Sequence, residues 1–168
     1  MDIVSHGLWG GVAFGQKNKR LYWWSFFFGV APDLFSFGIF TLANILGLVS
    51  GPDWSSGRPD PSAIPSYVYS LYDVTHSLIV FALIFGLVWA LRRRPYMPML
   101  AWALHILVDI PTHSSLFFPT PFLWPISSYN FQGISWGQPV VFIPNLILLA
   151  GCYFFWWIRV RNKKRTAH

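Results

Sequence analysis

Eleven of the twelve lysines and arginines of this chain sit in three short clusters, separated by long apolar stretches. The clusters are Lys17, Lys19 and Arg20; Arg92, Arg93 and Arg94; and Arg159, Arg161, Lys163, Lys164 and Arg165, with Arg58 alone outside them. The apolar stretches run over about 21–49, 67–91, 96–118 and 139–158. At about 1.5 Å per residue, each is long enough to cross a hydrocarbon core of about 30 Å. Four crossings put all three clusters on one side, which the positive-inside rule assigns to the cytoplasm together with the C-terminus. The expected fold is all-α: a multi-pass transmembrane helical bundle of four full spans plus a short N-terminal helix.

Composition agrees with lipid as the main solvent. Hydrophobic residues are 54% and charged residues 11% of the 168, against about 25% charged in an ordinary globular domain. That leaves too little polar surface to cover a soluble particle. A net charge of +6 raises the question of nucleic acid, but the charges flank spans and form no groove or stripe, so no nucleic-acid partner is expected. Cys152 is the only cysteine, which excludes a disulfide scaffold.

The connections carry less information. Residues 50–66 are rich in proline, glycine and serine and read as an external loop. Its Arg58 is a solvated residue or a phosphate-holding guanidinium beside the site. Residues 119–138 carry Trp124, Tyr129, Phe131 and Trp136 between prolines, which suits the headgroup level. The first sixteen residues put their apolar run before the basic ones, which is not the order of a signal peptide. At roughly 24 Å if helical they are short for a crossing. They are expected as a short helix packed into the bundle, with a helix lying flat on the surface as the alternative. No internal repeat is present, so residues 1–168 read as one membrane-embedded domain ending in a basic tail at 159–168.

The chemistry lies in the ionisable residues of the apolar segments, which are costly there and normally find partners or ligands. They are His6 in the first segment, Asp33 in the second, Asp73 and His76 in the third, and His105, Asp109 and His113 in the fourth. Counting helical rise from the basic clusters puts His6 at about 17 Å, Asp33 at about 20 Å and His76 at about 24 Å. From Pro95, His105 lies at about 15 Å, Asp109 at about 21 Å and His113 at about 27 Å. Four segments therefore deliver imidazoles and carboxylates to one layer, between mid-bilayer and its outer half.

His105, Asp109 and His113 stand at i, i+4 and i+8, so the first two share a helical face. Pro32 and Pro111 break or bend helices beside Asp33 and His113, which a membrane helix tolerates where the freed backbone faces protein or a wet cavity. Imidazole nitrogen with carboxylate oxygen suits zinc and accepts manganese or iron. Five or six ligands exceed one tetrahedral zinc, so one or two divalent ions are expected, with Asp109 as the bridge of a pair. Plainer readings exist: Asp33 as a helix cap, and His76, His105 and Asp109 as hydrogen-bonding glue between helices. Asp73, one turn before His76, is expected to orient that imidazole or to act as a general base.

His6, Pro32-Asp33, Thr75-His76-Ser77, His105-x-x-x-Asp109 and a later Pro121-Phe122 together resemble the LexA-regulated, inner-membrane metal-dependent hydrolases. That family is similar to zinc-dependent phospholipase C in the order of its ligands. The resemblance covers roughly residues 1–127. It implies an inner-membrane location, one metal held by Asp33, His76, His105 and Asp109, and a second near His6 sharing Asp109. His113 takes the place of a further phospholipase-like ligand. The chain has no glutamate, so nothing supplies the acidic ligand of the phospholipase's additional metal.

The expected activity is hydrolysis of a lipid or lipid-linked phosphoester by metal-activated water, with Asp73 or Asp109 accepting the proton. The expected partners are membrane lipid and a lipid-like substrate. Two other classes compete: an ion or proton transporter, which needs polar residues continuing to the cytoplasmic face, and a non-catalytic protein whose metal is structural.

Overall fold

A computed structural model of the chain describes residues 1–52 and 60–165. Arg58 lies outside the described residues, as do positions 166–168 of the basic tail. The described residues are helical, with no strand among them. The elements are α1 (Ile3–Phe14), α2 (Lys19–Asp33), a π-helical turn (Leu34–Gly38), α3 (Ile39–Ile45), α4 (Ser66–Thr75), α5 (Leu78–Arg92), α6 (Leu100–Thr112) and α7 (Pro139–Arg165).

Local chemistry explains where they start. Asp2 accepts a hydrogen bond from the Ser5 amide at 2.9 Å and Asn18 accepts one from the Leu21 amide at 2.9 Å, so both cap their helices. Ser77 opens α5 in the same way, its hydroxyl oxygen facing the Ile79 and Val80 amides at 3.1 Å.

Two helices are long and apolar enough to cross a membrane, Lys19–Ile45 and Pro139–Lys163; a third crossing exists only if α4 and α5, bent by 57°, are one broken span. This is fewer than four full spans. The stretch expected over 96–118 forms a helix only over Met97–Thr112, below the roughly 20 residues that a crossing needs. Its last turn is sealed by a loop. Gly133, Ile134 and Trp136 donate backbone N–H groups to the carbonyls of His113, Pro111 and Thr112 at 2.9, 3.0 and 2.9 Å. A Cβ on Gly133 would lie 2.4 Å from the Pro111 carbonyl oxygen, so only glycine lets the loop come this close. The stretch 67–91 breaks at His76–Ser77, where Ser77 starts a new helix.

The N-terminal segment packs into the bundle and does not lie on its surface. α1 buries Ser5, His6, Gly7, Gly10, Gly11 and Val12 against α2, α6 and α7. Small residues permit the α1–α2 approach: a Cβ on Gly29 would lie 2.4 Å from the His6 carbonyl oxygen. α7 is held by polar clamps, with Asn145 bonded to Trp9 at 2.8 Å and Ser5 at 2.9 Å, and the Tyr153 hydroxyl donating to the Leu8 carbonyl at 2.9 Å. A small aromatic core of Phe40, Val68, Tyr72 and Phe118 joins α3, α4 and the segment after α6. The Trp and Phe runs at 23–28 and 154–157 are largely on the outside, as lipid-facing residues should be.

Candidate metal centre

Asp33, His76, His105 and Asp109, from four different parts of the chain, offer ligand atoms that all lie within 4.8 Å of one another. His76, His105 and Asp109 are fully buried, and Asp33 is partly exposed. Each is placed by a backbone feature. Asp33 ends α2 immediately after Pro32 and before the π-helical turn, with helical φ and ψ and no capping bond, which removes its reading as a cap. His76 closes α4 at the break, and His105 and Asp109 lie one turn apart on α6.

Hydrogen bonding sets the tautomers. The Nδ1–H of His105 donates to the Gly29 carbonyl at 2.7 Å. Nδ1 of His76 faces the Tyr72 carbonyl at 3.1 Å and the Thr75 hydroxyl oxygen at 3.0 Å. Because the Thr75 hydroxyl donates to the Leu71 carbonyl at 2.9 Å, both neighbours of that Nδ1 are acceptors, and the nitrogen carries the proton. Both imidazoles therefore turn a bare Nε2 lone pair inward, as metal-binding histidines with carbonyl partners do. Tyr72 also braces His76 by stacking, with ring centroids 3.7 Å apart.

What faces those lone pairs is more lone pairs. The two Nε2 atoms are 3.0 Å apart. Oδ1 of Asp33 lies 3.4 Å from His76 Nε2 and 3.8 Å from His105 Nε2. Oδ2 of Asp109 lies 3.6 and 3.1 Å from the same two atoms, and it has no hydrogen-bond donor. Four acceptors converging with nothing between them is unfavourable without a cation, and one proton satisfies only one pair. Ligands at about 2.0–2.1 Å from a tetrahedral zinc stand about 3.3 Å apart, and the observed separations bracket that value. The group fits a divalent metal ion with an N₂O₂ donor set.

The second oxygen of Asp109 serves another set. Oδ1 faces His6 Nε2 at 2.9 Å, His113 Nδ1 at 3.4 Å and the Met1 amino group. His6 Nε2 and His113 Nδ1 are otherwise unpartnered and buried, and the His6 ring stacks on His105 at 3.6 Å. Six of the seven residues singled out from sequence thus meet around one carboxylate. Asp73 does not. It is half-buried on α4 outside this group, and the role of orienting His76 is filled by Tyr72 and Thr75. The Met1 amine and the Gly29 and Tyr72 carbonyls were not legible as site components, because main-chain groups leave no mark in side-chain identity.

A cavity of about 740 Å³ opens beside the centre. Asp2, Asp33 and His113 are among its polar lining residues, and Leu34, Phe37, Leu42 and Phe118 are among its apolar ones. Leu34, Leu42 and Ile45 on its rim are exposed to the surroundings of a candidate membrane span. Asp33 is the one member of the metal-binding group that lines it. The loop with Pro121-Phe122 docks next to the break that holds His76: the Leu78 amide donates to the Phe122 carbonyl at 3.0 Å. No protein-family model, curated protein or solved structure matches the chain.

Proposed function

We propose that the chain is a membrane-bound, metal-dependent hydrolase of a lipid or lipid-linked phosphoester. The observation that carries this reading is that Asp33, one member of the Asp33–His76–His105–Asp109 group, lines a largely apolar cavity whose exposed Leu34, Leu42 and Ile45 lie on a candidate span. An amphiphile fits such a space, with its phosphoester at Asp33 and its hydrocarbon along Leu34, Phe37 and Leu42. The ligand order resembles that of the inner-membrane hydrolases and favours the same group. Partial exposure of Asp33 to the cavity leaves the centre open on one side, which favours catalysis over a closed structural site.

In this reading the group would hold zinc, with manganese or iron as substitutes, and His6, His113 and Oδ1 of Asp109 would serve a second ion in place of the Met1 amino group that Oδ1 faces. A divalent ion held here supplies Lewis acidity and water acidified to about neutral pH. His76 and His105 are fixed through their Nδ1–H bonds and would present Nε2 to the ion. Both oxygens of Asp109 are committed to histidines, whereas only Oδ1 of Asp33 is. Asp33 is therefore assigned as the proton acceptor, replacing Asp73 and Asp109. In this reading the basic clusters face the cytoplasm and the site lies in the outer half of an inner membrane.

The test is an assay of metal-loaded protein in mixed micelles against phospholipids and polyprenyl phosphates, with and without chelator. Chelator-sensitive release of a phosphorylated headgroup or of phosphate is expected. Hydrolysis that persists in His105→Ala, or that ignores chelator, contradicts the proposal.

A further inference from the structure

We infer that the basic end of the bundle contains a separate binding site for the phosphate of an anionic phospholipid. A second cavity, of about 580 Å³, is lined by Lys17 from the α1–α2 turn and by Arg92 and Arg94 from the α5–α6 turn, over an apolar floor that includes Phe14, Leu21 and Met97. It is distinct from the metal centre, since none of the residues that line it belongs to the Asp33–His76–His105–Asp109 group or lines the cavity beside that group.

Two features separate this cavity from a generic flank of positive charge. First, the cations have no acidic partner among the described residues. No acidic residue occurs between Asp2 and Asp33 or between Asp73 and Asp109, and none lines the cavity among the described residues. Second, Arg92 and Arg94 both reach this cavity from the C-terminal end of α5. Arg93, at φ 57°, adopts the left-handed conformation that ends α5, a position glycine usually fills. Arg92 and Arg94 flank it, and the Arg92 guanidinium lies 4.8 Å from the Tyr96 ring centroid. Arginine forks suit phosphate oxygens, basic pockets between membrane helices suit anionic headgroups, and the apolar floor suits the upper part of an acyl chain.

The test is native mass spectrometry of delipidated, chelator-treated full-length protein in neutral detergent, titrated with phosphatidylglycerol, phosphatidylcholine or inorganic phosphate. One phosphatidylglycerol per chain is expected, preferred over phosphatidylcholine by about 100-fold, from about fivefold for each of three cations. The preference is expected to vanish in the Lys17→Gln, Arg92→Gln, Arg94→Gln triple variant, while the metal content of that variant before chelation equals that of the wild type. Should the triple variant fail to fold, Arg94→Gln alone is expected to cost about fivefold and added salt to weaken binding. Equal binding of the two lipids, full displacement by inorganic phosphate, or undiminished selectivity in the variant that folds overturns the inference.

Discussion

The two long apolar helices, Lys19–Ile45 and Pro139–Lys163, are 27 and 25 residues long, each contains a proline, and they behave differently. At Pro32 the first passes into a π-helical turn and delivers Asp33 to the metal centre. At Pro144 the second stays one continuous helix, and the neighbouring Asn145 only clamps Trp9 and Ser5. The proline alone does not make the break. What goes with irregular backbone here is a side chain of the buried His/Asp cluster: the π-helical turn follows Asp33, α4 stops at His76, and α6 ends at His113 in extended geometry. Interrupted helices are tolerated at membrane depth where protein or a cavity re-satisfies the backbone, and the cavity beside Asp33 meets that condition.

The largest expected effect on this contrast is at Asp109, which serves both histidine sets. Asp109→Asn is expected to leave the protein metal-free by elemental analysis and to lower hydrolysis by about 10³-fold or more; retained metal would break the link between the α6 carboxylate and the irregular segments. Gly29→Ala comes next. Its Cβ would push on the His6 carbonyl while the Gly29 carbonyl orients His105, so a stability loss of about 1–3 kcal/mol in denaturant titration is expected, together with weaker metal binding. Thr75→Val removes one of two acceptors at His76 Nδ1 and is expected to weaken metal affinity by about tenfold in competition with a chelator. Asp73→Asn is expected to change activity by no more than about twofold, since a base in general catalysis is worth about 10²–10⁴; a 100-fold loss would return it to the mechanism. Leu148→Ala, on the exposed face of α7 at 58% relative accessibility, is expected to shift stability by less than about 0.5 kcal/mol and leave metal content alone.

The polar layer was legible because an aspartate or histidine inside an apolar stretch has few places to go. Counting helical rise from the basic clusters brings His6, Asp33, His76, His105 and Asp109 to one layer, and the side chains do meet one another. Asp73 stands outside the clustered group, and the helix break gives a reason. Its spacing from His76 implies a shared helical face only if the helix continues, and at His76 the backbone has left the helix with φ −104° and ψ 17°. The span at 96–118 was overlong because apolarity does not report backbone pairing. Phe117 and Phe118 are as apolar as the helix before them, yet Phe118 turns back with φ 48° to cover Tyr72. The cavity owes its walls to the π-helical turn and that reversal, neither of which has a periodic signature.

The most direct test of the central claim is elemental analysis of detergent-purified wild-type protein beside His105→Ala, with circular dichroism to verify that both are helical. The account predicts at least one equivalent of a divalent metal in the wild type and a loss of at least one equivalent in the variant. A folded wild-type protein that stays metal-free after incubation with zinc, manganese or iron would contradict it.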